Sequence, residues 1–187
     1  MKLPPPIESL VADVLPELGP GSPRQAAKSV LSSLTPESLF DGQKIVDRRA
    51  AACCVSALWL LQDFLDESHA ISQDIDTADG SYWHGILHRR EPDYGNAKYW
   101  FRRVGDHPVF PPLAAAAREL AAKDNPDSAA AFLETQSIWD PFRFVDLCEA
   151  IARGKSSAES LAREIARAEW DLLFEHCWSQ AMGNRTN

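Results

Sequence analysis

Nowhere in this sequence do apolar and polar residues alternate long enough to require a β-strand, and that restricts the chain to helical architectures. Apolar residues recur instead at three- and four-residue spacing. Ile7, Leu10, Val11, Val14, Leu15 and Leu18 share one face, with Pro16 set to cut the last turn. Leu161, Ile165, Ala168, Leu172, Leu173 and Cys177 do the same near the other end, with Arg163, Glu164 and Arg167 outward. The 26 alanines strengthen the bias, and the 9 glycines do little to oppose it.

Prolines mark where helices begin. Ser22-Pro23, Thr35-Pro36 and Asp140-Pro141 each pair an N-cap residue with proline at the first helical position. Ser156 to Glu159 offers a capping box. Together these marks predict about nine helices, over 7–18, 23–34, 43–67, 81–90, 94–104, 112–123, 128–135, 141–153 and 158–182, with a short turn over 36–40. The expected fold class is all-α: a single irregular helical bundle over 1–187, built around 43–67 and the C-terminal helix. Residues 1–6 read as a loose arm and 183–187 as a frayed tail.

A chain of 187 residues suits one such domain. Its 27 acidic against 19 basic residues leave a net charge of −8, which argues against general nucleic-acid binding, since phosphate contacts need a basic face. The longest apolar run, Ala50 to Leu61, is too short for the ~20 residues of a membrane span and reads as a buried helix. No apolar core follows the N-terminal Met1-Lys2-Leu3 as in a signal peptide, so the chain reads as soluble and cytoplasmic. Cys53, Cys54, Cys148 and Cys177 form no C-x-x-C pair and read as small buried hydrophobes in a reducing compartment. The sequon at Asn184-Arg185-Thr186 is then moot. The alanine-rich face from Ala114 to Ala122 offers a dimer contact, leaving monomer and homodimer both open.

From Glu67 to Phe110 the composition changes. Four of the five histidines lie here, His69, His84, His88 and His107, with all three tyrosines and two arginine pairs. Residues 80–108 read GSYWHGILHRREPDYGNAKYWFRRVGDHP. This block, with Glu67-Ser68-His69 and Ile75-Asp76-Thr77 before it, resembles a motif of a family of bacterial and fungal proteins. The resemblance covers roughly residues 60–110. It implies membership of that family and brings no activity, cofactor or catalytic residue with it.

Three chemistries fit the segment. His84 and His88 are four apart on a helix and Glu91 three further, so they share a face able to hold a divalent metal. Glu67, His69 or His107 would complete the shell. Gly85 occupies the position a zinc protease gives to its glutamate, so that pattern is absent. Alternatively, Arg89, Arg90, Lys98, Arg102 and Arg103 offer donors to a small anionic molecule. Trp83, Tyr99 and Trp100 would serve as its walls, and Asn96 and His107 would supply directional bonds. In an enzyme, His84 or His88 is the candidate general acid or base. Finally, the same arginines pair with Asp63, Asp66, Glu67, Asp74 or Asp76 if the segment is a polar core or a protein-interaction module. His176 reads as an ordinary surface or core histidine. No nucleophile elbow, P-loop or dinucleotide fingerprint is present.

Overall fold

The computed structural model describes residues 3–184. Those residues form eleven helices and no strand, nine of the helices having seven residues or more. Residues 1–2 of the expected arm and 185–187 of the expected tail, with most of the sequon, lie outside the described residues. The arm is shorter than expected, because α1 (Pro5–Val11) already starts at Pro5. It also stops well before residue 18, and no helix resumes before α2 (Gln25–Ser32). Ser22-Pro23 therefore caps nothing, and Arg24 holds the N-cap position instead. Thr35 caps the single-turn α3 (Pro36–Leu39) as predicted.

The helix expected over 43–67 is two helices. Asp47 starts α4 (Arg48–Leu61) by accepting the backbone N–H groups of Arg49 and Ala50. The chain then turns at Asp63, whose φ of +64° ends helical geometry, and α5 (Leu65–Ser72) follows at a new angle. The apolar periodicity runs across this break because Leu65 and Ile71 of α5 pack against the same core that α4 fills. Ser56 of α4 donates to the Ser68 carbonyl oxygen, which holds the two together.

A hairpin of α6 (Ala78–Arg90) and α7 (Tyr94–Val104) packs against α4 and α5. Thr77 caps α6, Asp93 caps α7, and Gly105 ends α7 at a φ of +65°. Helix α6 has no solvent face over most of its length: every residue from Gly80 to Arg90 is buried, including two histidines and two arginines. Beyond it come α8 (Phe110–Asp124), α9 (Phe132–Thr135), α10 (Pro141–Ala152) and α11 (Glu159–Ala181). Asp140 caps α10 as predicted. The capping box expected at Ser156 does not form. Asp127 instead accepts from the Ser156 hydroxyl and the Ser157 N–H.

The 23-residue α11 is the longest element, and it packs along α4 and α8. Trp170 of α11 donates its indole N–H to the Ala57 carbonyl oxygen of α4. Ala114, Ala117 and Ala121 of α8 are buried in the core, whereas Ala115 and Ala116 are half-buried and Ala122 is exposed. All four cysteines are free and buried. Among the described residues no helix is long and apolar enough to cross a membrane.

Candidate functional site

Three short stripes of polar residues meet where α5, α6 and α7 converge. His69 and Ser72 lie on α5, His84, His88 and Glu91 on and just past α6, and Asn96, Trp100 and Arg103 on α7. Within each stripe the residues are three or four apart, so each helix presents them from one face. Ring-centre distances are 4.7 Å for His69–His84, 4.6 Å for His84–His88 and 5.6 Å for His69–His88. One ligand nitrogen from each of the three rings lies within 4.8 Å of the other two.

The tautomer of His88 is set by what holds its ring. His84 Nδ1 lies 2.9 Å from the Ser72 hydroxyl oxygen, and His88 Nδ1 lies 2.8 Å from a Glu91 carboxylate oxygen. Glu91 can only accept, so Nδ1 of His88 carries the proton and Nε2 keeps its lone pair. The Asn96 amide is 3.1 and 3.3 Å from the two nitrogens of His88. An atom nearly equidistant from both lies off the lone-pair axis of either. Nε2 of His84 and the whole ring of His69 have no side-chain partner among the described residues. Burial, with like charge from His88 and His69 adding to it, pushes the His84 pKa down to about 3. Burial also lowers His88, against an opposing pull from Glu91. Both rings are therefore neutral at pH 7. His69 and Trp100 are half-buried and give the group its contact with solvent.

A second cluster was not legible in the sequence. His107 Nε2 and His176 Nε2 lie 2.8 and 3.2 Å from the same Asp79 oxygen. Here the tautomer is the opposite one. His107 Nδ1 accepts the Val109 N–H at 3.3 Å, so the proton of the neutral ring sits on Nε2 and points at Asp79. Such a ring has no lone pair to offer a metal at that atom. Burial alone would raise the Asp79 carboxyl, but the two histidines hold it well below the ordinary carboxylate range. This group is a hydrogen-bonded clamp joining the start of α6, the α7–α8 connection and α11. His107 belongs to it rather than to an anion site or to the three-histidine group.

Several expected ligand donors are committed elsewhere. Arg89 is buried against Glu169 of α11, with contacts of 2.5 and 3.3 Å, and stacks over Phe144. Arg90 is equally buried and donates to Asp63 and to the carbonyl oxygens of Gly19, Pro20 and Leu60. Both guanidinium groups are buried with their charge matched by a carboxylate, so neither faces solvent to meet an external anion. Trp83 is wholly buried, its indole N–H directed at the Cys177 sulfur. Lys98 points away to Asp146 of α10, and Arg102 is exposed beside a shallow groove with Phe101, Ile138 and Trp139. Glu67 sits two residues from His69, and residues two apart on a helix do not face the same way. Tyr99 is half-exposed, its ring edge-on to Trp100. Of the anion-binding set, Asn96, Trp100 and Arg103 remain beside the three histidines. Comparison of the chain with protein-family models, curated proteins and solved structures gives no match.

Proposed function

We propose that this protein binds a divalent metal ion through His69, His84 and His88, and that the ion keeps a position open to water. The observation that carries the reading is the convergence of three imidazole nitrogens, all within 4.8 Å of one another, with no carboxylate between them. Ser72 and Glu91 support it, since a metal-bound histidine commonly has its other ring nitrogen held by an oxygen. Three neutral nitrogen ligands suit zinc best and leave the full charge of the ion on its fourth ligand. A water held there ionises near pH 7, which is the chemistry of metal-assisted hydrolysis or hydration. The four free, buried thiols fit a cytoplasmic setting, which belongs to the same reading. So does the family resemblance of residues 80–108, a block that contains two of the three histidines.

The test is calorimetric titration of chelator-treated, tag-free protein with Zn²⁺, together with native mass spectrometry. One ion per chain is expected, lost in His84→Ala and His88→Ala and retained in His107→Ala. Absence of stoichiometric binding, or binding that survives both of the first two changes, would overturn the proposal. The structural alternative would then stand, with the histidines as polar core.

A further inference from the structure

We infer that the three-histidine centre serves a substrate carrying a carboxylate or phosphate group, and that Arg103 is the residue that anchors this anionic group. The inference rests on the metal reading above and adds the class of molecule it acts on. Helix α7 runs past the histidines in register: Asn96 beside His88, then Trp100 against His84 with ring centres 4.2 Å apart. One turn further, Arg103 places its guanidinium 5.3 Å from the Trp100 ring centre. Asn96, Trp100 and Arg103 are spaced four and three apart, so they form one stripe that leads from the centre to a cation.

The arginine is available in a way that its neighbours are not. Arg89 and Arg90 are sealed inside the fold by Glu169 and Asp63, whereas Arg103 is 45% exposed. Its only carboxylate partner among the described residues is Asp76, 3.1 Å away and 91% exposed. An exposed pair of this kind contributes little and is readily exchanged for another anion. The Trp100 ring limits the motion of the guanidinium, and the planar fork matches carboxylate and phosphate oxygens alike. Away from Arg103, the carboxylate of Glu91 is held at His88, and its charge disfavours an anion there. The polarity of the face therefore orients a bound molecule, its reacting group at the histidines and its anionic group toward Arg103.

The experiment uses full-length protein loaded with Co²⁺, whose visible absorption reports ligands entering the open position. Acetate, glutarate and 3-phosphonopropionate are titrated into the wild type, Arg103→Gln and Asp76→Asn, with folding checked by circular dichroism. One or both two-headed anions are expected to bind at least tenfold more tightly than acetate to the wild type. That advantage should vanish in Arg103→Gln and grow in Asp76→Asn. Which of the two probes gains separates a carboxylate from a phosphate anchor. Equal affinities of all three anions for wild type and Arg103→Gln would overturn the inference while leaving the metal centre standing. Failure of Co²⁺ to bind at all would instead remove the metal reading and, with it, this one.

Discussion

Replacing Glu169 by leucine should be among the most damaging single changes in this protein. Glu169 is 0% and Arg89 2% exposed, so the change leaves a guanidinium in the core, over the face of Phe144, without its carboxylate. Breaking one side of a buried pair costs about 3–5 kcal/mol, because the remaining charge keeps its desolvation penalty and loses its partner. A domain of this kind is stable by roughly 5–15 kcal/mol, so Glu169→Leu should remove about a fifth of the total at the least and nearly all of it at the most. At this chain length that is a fall in melting temperature of roughly 6–20 °C. The double variant Arg89→Met/Glu169→Leu removes both charges and should recover most of the loss. The assay is urea denaturation at pH 7 followed by circular dichroism, read as a double-mutant cycle. A Glu169→Leu cost below about 1 kcal/mol would refute the reasoning. It would mean that Arg89 can reach water or another anion, and would return it to the candidates for ligand binding.

Three further outcomes are expected. In metal-free protein, stability should rise with pH between about 3 and about 6.5 and then level off. The folded His84 titrates near 3, below its value in the unfolded chain, so within that window the unfolded state binds the extra proton. His84→Gln should flatten the slope by roughly 3–5 kcal/mol across the window, measured by denaturation at stepped pH; an unchanged slope would remove His84 as its source. Gly80→Ala should cost more than about 2 kcal/mol in the same assay, because a Cβ there would clash with the Ile75 carbonyl oxygen; a near-neutral result would show that the turn before α6 yields. The thiols should resist a disulfide-exchange reagent in native protein and all four react in urea. Each is buried, and burial raises Cys148 to about 11 and Cys54 and Cys177 well above the ordinary range. Fast labelling of any native thiol would contradict that packing.

Local signals in the sequence located the fold well. The limits of α7 agree with its periodicity, and Thr35 and Asp140 cap where their prolines said they would, since these features depend on a few neighbouring residues. Long-range pairing was out of reach. The break between α4 and α5 turns on Asp63, whose carboxylate is taken by Arg90, and no local pattern announces that contact. One clue was present for Arg89. Glu169 stands four residues from Ile165 and four from Leu173, an acid inside an apolar stripe, which signals a buried partner. The i, i+4 spacing of His84 and His88 was readable and His69 was near enough in sequence to suspect. The clamp of Asp79, His107 and His176 was not, because its members come from three elements up to 97 residues apart.

The burial of α6 on every side has a consequence for how anything reaches the three histidines. Arg89 fastens it to α11 and Arg90 fastens it to the Gly19–Pro20 segment and the end of α4, so a slip of one residue would turn histidines away and swing guanidinium groups into the core. The helix behaves as a fixed axle. Anything that reaches the histidines comes from the α5 and α7 side, past the half-buried Trp100 and beside His69, while the two histidines of α6 stay where they are.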